Sequence, residues 1–179
     1  MKLLLAALIA LAAAPAMAAG EAASPYAGQE TRGIKALSPA EIEGLLAGKG
    51  LGYAKAAELN GYPGPAHVLE LKNGLGLSDE QLSATRALHA RMEEQAKALG
   101  AQVVAAEAEL EESFQDGSVG AGSLRSSLAR IAQLQAELRG VHMAAHLEQR
   151  LLLTPEQVAH YQHLRGYHRG QHGSHGHGH

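Results

Sequence analysis

Apolar side chains recur through the middle of the chain at Leu88, Met92, Ala96, Leu99, Val103, Ala106 and Leu110, in steps of four and three. Such steps lay one stripe along one face of an α-helix, and they predict a helix from about Asp79 to about Phe114. Gln115-Asp116-Gly117-Ser118 through Gly122 interrupts the pattern. It resumes at Leu124, Leu128, Ile131, Leu134, Leu138, Val141 and Ala145, predicting a second long helix capped by Ser123 and ending near Leu151. Two long helices joined by a short Gly-containing turn form an antiparallel hairpin. The expected fold class is therefore all-α, a long antiparallel helical hairpin with short flanking helices.

Charge supports the pairing. Residues 79–114 carry eight acidic and three basic side chains, and residues 123–150 carry four basic and two acidic ones. Exposed pairs contribute under about 1 kcal/mol each, so they set orientation more than stability. A hairpin alone exposes its apolar seam, which a second subunit, a client or the short helices must cover. A homodimer is the economical expectation.

Three segments begin alike: Leu37-Ser38-Pro39-Ala40-Glu41-Ile42, Leu77-Ser78-Asp79-Glu80-Gln81-Leu82 and Leu153-Thr154-Pro155-Glu156-Gln157-Val158. Ser or Thr at N-cap accepts from a free helix N–H, Glu or Gln three residues on returns the bond, and the preceding Leu staples onto the apolar residue at N4. Pro at the first helical position forfeits no hydrogen bond. These starts predict a short helix over about Pro39 to Ala47, the start of the first long helix, and a final helix from Pro155 to about Leu164. Between the first two, Asn60 to Pro65 reads as a turn-rich connector. Pro65 then opens a short helix from His67 to about Leu71, closed by Asn73-Gly74.

The ends differ in kind from the middle. Lys2, the apolar run Leu3 to Ala14 and Ala16-Met17-Ala18 have the three parts of a signal peptide, so residues 1–18 are expected to be removed on export to the periplasm. The run is too short for a membrane span, and no transmembrane segment is expected in the mature chain. Residues 19–36 read as a flexible arm, 37–166 as the helical domain and 167–179 as a His-rich tail. Removing Lys2 from the 15 Lys and Arg leaves 14 against 18 Asp and Glu, a net −4 with His neutral, which argues against nucleic acid as a partner. There is no Cys and no Trp, and Phe114 is the only Phe, so packing of aliphatic helices must hold the fold.

The paired starts at Leu77, Ser78 and Gln81 and at Leu153, Thr154 and Gln157, 76 positions apart and flanking one hairpin, resemble the LTxxQ motifs of the Spy/CpxP family. The third start departs by having Glu41 in place of Gln. The resemblance covers roughly residues 65–165. It implies an exported periplasmic helical protein, often a cradle-shaped dimer. It implies an ATP-independent chaperone for unfolded or stressed envelope proteins, with a sensor kinase as signalling partner, or a heavy-metal sensor. The segment Gly48 to Leu71 is similar to the section preceding the first motif in relatives described as periplasmic heavy-metal sensors. On the chaperone alternative, clients would be held by the seam residues Leu88, Met92, Leu99, Val103 and Leu110. The acidic C-terminal part of the first long helix departs from the basic concave face expected of the chaperones.

On the metal alternative, the chain offers 11 histidines. His168, His172, His175, His177 and His179 alternate with Gly, Gln and Ser in the tail, where neutral imidazoles could gather zinc, copper or nickel. His142 and His146 share one face of the second long helix. In a hairpin folded near Ser118, Met92 falls opposite about Ala145 and His89 opposite about Glu148, so His89, Met92, His142 and His146 could meet. His67 could join them. Met92 also fits simply as seam packing, and the histidines as polar residues flanking it. No nucleophile elbow or P-loop is present, so no enzyme and no required cofactor are expected.

Overall fold

The computed structural model describes residues 24–167. Residues 24–31 belong to one unit and residues from Arg32 onward to another. In the first, the backbone turns on itself, with Ala27 N–H donating to Ser24 O and Gln29 N–H to Tyr26 O.

Among the described residues the second unit holds seven helices: α1 Pro39–Leu46, α2 Lys55–Glu58, α3 Pro65–Glu70, α4 Lys72–Leu75, α5 Asp79–Gln115, α6 Ala121–Leu152 and α7 Pro155–Leu164. No strand occurs among the described residues, and none of their helices is long and apolar enough to cross a membrane. All three predicted capping boxes are made. Ser38, Ser78 and Thr154 each accept the N3 backbone N–H at 3.2 Å, while Glu41, Gln81 and Gln157 accept the N-cap N–H in return.

Helices α5 and α6 run antiparallel. Arg91 reaches Glu148 and Arg130 reaches Glu109, each at 2.6 Å across the pair. Both pairs are more than half exposed, so together they contribute little beside the core. Ala96, Val103 and Ala106 of α5 pack with Ile131, Leu134 and Leu138 of α6 and with Leu45 of α1. Full burial of one such Leu contributes about 1.5–3 kcal/mol.

Three boundaries differ from the sequence expectation. The cap of α6 is Gly120, and Ser123 stands at N3, where its hydroxyl accepts the Gly120 N–H at 2.9 Å. Helix α3 begins at Pro65, whose fixed φ suits N1, and ends at Glu70. Asn73-Gly74 does not close it but lies inside α4, which stops at Gly76 with φ +59°, a left-handed residue of the kind that ends helices.

The seam is covered from within. Helices α1 and α3 both pack on α5, and Leu88 and Val103 are buried. The exposed stripe from which a second subunit was inferred is therefore internal, and the argument for a homodimer loses its premise. The expected flexible arm also ends early: Lys35 anchors the chain to α5 through its backbone N–H and its ammonium, both on Glu111. This pairing holds the Glu111 carboxyl down at about 2.

A second cluster closes the open end of the hairpin. Val68, Leu75, Leu153, Val158 and Tyr161 form it, with Leu71, Leu77 and Tyr167 against it. The leucines that open the two motifs, Leu77 and Leu153, thus pack into one cluster at the open end, where the hairpin begins and where it finishes.

Candidate functional site

The register that joins α5 to α6 brings the internal candidates together. A cavity of about 550 Å³ lies between α3, α5, α6 and the Ala47–Gly50 turn, and its walls include His67, His89, Met92, His142 and His146. Met92 and Ala145 also share a neighbouring groove, the opposition expected from folding near Ser118.

The five side chains are held differently. His142 is 3% exposed and stacks on the Tyr53 ring, with centroids 6.0 Å apart and planes 9° from parallel. Its Nε2 is buried and meets no hydrogen-bond partner among the described residues. Such an orphan costs about 1–3 kcal/mol unless something satisfies it. Burial first, and the neighbouring His146 second, push the His142 pKa below 6.5, so this imidazole is neutral at neutral pH and able to ligate. His146 sets its Nδ1 2.7 Å from Tyr62 O. A Nδ1–H donated there leaves the lone pair on Nε2, the arrangement by which carbonyls orient metal-ligating imidazoles. Gly64 makes room for that edge of the ring, since a Cβ on it would lie 2.9 Å from His146 Nε2.

His67 and His89 are less constrained. His67 Nδ1 lies 3.1 Å from Glu70 and His89 Nδ1 lies 3.9 Å from Glu93. Met92 is half-buried at the cavity wall. The donor types fit a late transition metal. Yet no three His, Asp or Glu side chains among the described residues stand close enough together to hold an ion. The cavity therefore gathers the ligand chemistry without a finished coordination sphere. His168, His172, His175, His177 and His179 lie outside the described residues.

The seam candidates fall elsewhere. Leu88 and Val103 are buried, while Leu99 and Leu110 are half-buried against the main core.

The motif glutamines do something that capping alone does not require. Gln81 Nε2 donates to Gln157 Oε1 at 2.8 Å, and Gln157 Nε2 donates back to Gln81 Oε1 at 3.0 Å. The other amide hydrogen of Gln81 goes to Leu152 O at 2.8 Å. That of Gln157 goes to Leu75 O at 3.3 Å and Gly76 O at 3.5 Å. Leu152 and Gly76 each immediately precede a motif leucine, so the two motifs grip each other in equivalent fashion. This clasp joins the N-terminus of α5 to that of α7.

A buried acid beside the cavity has no counterpart in the sequence expectations. Glu58 of α2 is held by Tyr161 Oη at 2.5 Å, Tyr167 Oη at 3.1 Å and Gly64 N–H at 3.1 Å. Arg165 and His146 each approach within 3.6 Å. Burial, and then the bond to Glu58, raise the Tyr161 pKa above the usual phenol range, so Tyr161 serves as a permanent donor. Three partners, Tyr161, Arg165 and Tyr167, come from α7 and the residues just after it, about a hundred positions away in the chain, which is why no local pattern marks Glu58.

Compared with known protein families, curated proteins and solved structures, the chain matches none.

Proposed function

We propose that this chain is an exported, non-catalytic periplasmic protein of the Spy/CpxP kind that binds a late transition-metal ion, zinc, copper or nickel, as a sensor or buffer. The observation that carries this reading is the cavity wall of His67, His89, Met92, His142 and His146. Within it, a buried imidazole nitrogen lacks a partner among the described residues, and a second imidazole is oriented by a backbone carbonyl. The export signal and the paired motifs support the family. The motifs act as a scaffold in this reading, because their glutamines are fully engaged with each other.

Isothermal titration with zinc, copper and nickel tests it. Replacing His142 and His146 with Ala should weaken binding by about 10–100-fold. Retention of full affinity by the double variant would exclude the cavity. Acid gives a second readout. The folded His142 pKa is depressed, so the unfolded chain takes up more protons as the pH falls below 6.5. The stability from this group is complete above that value and is lost progressively on further acidification, through the folded pKa. Affinity should fall over the same window, because the ion competes with protons for the ring. His142→Ala should flatten that part of the stability profile.

A second reading, an ATP-independent chaperone for unfolded envelope proteins, is favoured by one separate feature. Leu147 and Leu151 form an exposed ridge on α6, Leu151 being 86% exposed. Apolar grooves of about 380 and 420 Å³ flank it, one lined by Tyr62, Leu153 and Val158 and the other by Ala84, Ala87 and Leu88. Client segments would seat on this ridge and in the grooves beside it, one of which the seam residue Leu88 lines. The metal-free protein should then suppress aggregation of a denatured test protein at near-equimolar ratio, and Leu147→Glu with Leu151→Glu should abolish the effect. Undiminished suppression by that pair of substitutions would remove the ridge from consideration.

A further inference from the structure

Glu58, the buried acid beside the histidine-lined cavity, divides its two oxygens between two neighbours. Oε1 faces α7 and the residues after it. Tyr161 Oη donates to it at 2.5 Å and Tyr167 Oη at 3.1 Å, with Arg165 Nε 3.6 Å away. Oε2 faces His146. Gly64 N–H donates to it at 3.1 Å, and His146 Nδ1 lies 3.6 Å from it. The Glu58 and His146 side chains are each 11% exposed, so salt screens this pair little.

A carboxylate so placed is costly, and an apolar side chain of similar size would avoid the cost. The donors on Oε1 explain how the acid is tolerated, but not why Oε2 stands beside an imidazole. The His146 ring supplies the direction. Its Nδ1 is committed to Tyr62 O at 2.7 Å, and 3.6 Å to Oε2 is beyond hydrogen-bond range. Glu58 therefore acts on the ring through charge. An ion on Nε2 draws electrons from the imidazole and leaves it positive, and a carboxylate on the Nδ1 side stabilises that state. Gly64 serves both ends of the pair. Its N–H fixes Oε2, and its missing Cβ, which would stand 2.9 Å from Nε2, keeps the ligating edge of the ring clear.

We propose that Glu58 is the positioning residue of the metal site: its carboxylate strengthens His146 as a ligand without touching the ion, and α7 holds that carboxylate in place through Tyr161. The inference rests on the metal-binding reading above and names the group outside the ligand set that tunes it. It also gives α7 a share in metal affinity, although no residue of α7 lines the cavity among those described.

Zinc titration of the ¹⁵N-labelled full chain tests the proposal, followed at the ring resonances of His142 and His146 so that the readout belongs to the cavity. Glu58→Gln keeps the shape and an acceptor and removes the charge. It should weaken zinc binding there by about tenfold or more. Tyr161→Phe removes the hydroxyl and leaves the ring in its cluster. It should weaken binding by about fivefold, the lower end of coupling between linked groups. In the zinc-bound state the His146 Nδ1 proton should resonate at lower field in the parent than in Glu58→Gln, a difference that lost packing alone would not make. Ile131→Val, in the main core, controls for general loss of stability and should bind as the parent does. Circular dichroism should show equal helix content throughout.

Parent-like affinity in Glu58→Gln would overturn the role of Glu58 while leaving the cavity as a metal site. Weakened affinity with the Nδ1 proton unmoved would overturn it in favour of a packing role. Parent-like affinity in Tyr161→Phe, or an equal loss in Ile131→Val, would remove α7 from the site. If neither zinc, copper nor nickel shifts the His142 and His146 rings of the parent, the metal-binding reading itself fails, and the role of Glu58 with it.

Discussion

Replacing Gly100 with Ala should destabilise the protein by about 3 kcal/mol, the upper part of the range for overpacking, against the direction that helix propensity predicts. Gly100 lies inside α5, where Ala is ordinarily better by about 1 kcal/mol. Here an added Cβ would stand 2.1 Å from Leu45 O, 2.7 Å from Leu45 C and 3.2 Å from Leu45 Cα. All three are backbone atoms of α1, so no rotamer change relieves them. Either α1 lifts off α5 or the hairpin bends. If α1 lifts, Leu45 leaves the main core, where it is 4% exposed, and its burial contributes about 1.5–3 kcal/mol. Gly140 of α6 is the control, because a Cβ there meets nothing within 4 Å. Gly140→Ala should stabilise by about 0.5–1 kcal/mol. Urea unfolding of the two variants measures both. A Gly100→Ala protein as stable as Gly140→Ala would mean that α1 does not cross α5 at this point.

The same contact shows what the sequence could and could not disclose. The hairpin was legible because its periodicity is a property of each helix alone, and the register followed from where Gly117 and its neighbours break the pattern. The caps were legible because a capping box is complete within four residues. The cover of the seam was not. In the sequence Gly100 reads only as a weak point in a helix, since its value lies in a backbone 55 positions earlier. Glu58 was hidden for the same reason. It stands in a short Ala-rich stretch, and its burial is made tolerable by phenols 103 and 109 positions away. The histidines fall between these cases. Their meeting in one cavity follows from the hairpin register, whereas the partnerless Nε2 of His142 and the carbonyl that orients His146 depend on α1–α3 and their connecting turns, whose packing leaves no periodic trace.

The motif glutamines carry the other large effect. Gln157→Glu should cost about 2–4 kcal/mol at neutral pH, the magnitude of placing an unpaired charge against acceptors. The capping box itself would survive, since Glu41 makes the same box at Ser38, with its carboxylate accepting the Ser38 N–H at 2.8 Å. What fails is the clasp. Gln157 Nε2 now donates to Gln81 Oε1 and to the carbonyls of Leu75 and Gly76. A carboxylate oxygen in its place would face three acceptors with nothing to give. Protonation restores a donor, so the folded pKa of the new Glu should be raised above about 4.3, its unfolded value. The deficit relative to the parent is then full above the raised pKa and vanishes below the unfolded one, so the two proteins should converge in stability as pH falls toward 4. Gln81→Glu should behave alike. The double variant should cost more than the sum of the two single costs at neutral pH, because each single variant keeps one amide donor across the pair whereas the double variant sets two carboxylates against each other. Urea unfolding at pH 7 and pH 4 supplies both readouts. Additive costs that do not change with pH would mean that each glutamine acts only as the cap of its own helix. In that case Glu would serve at positions 81 and 157 as well as it does at position 41, and nothing physical would separate the two Gln starts from the Glu start of α1.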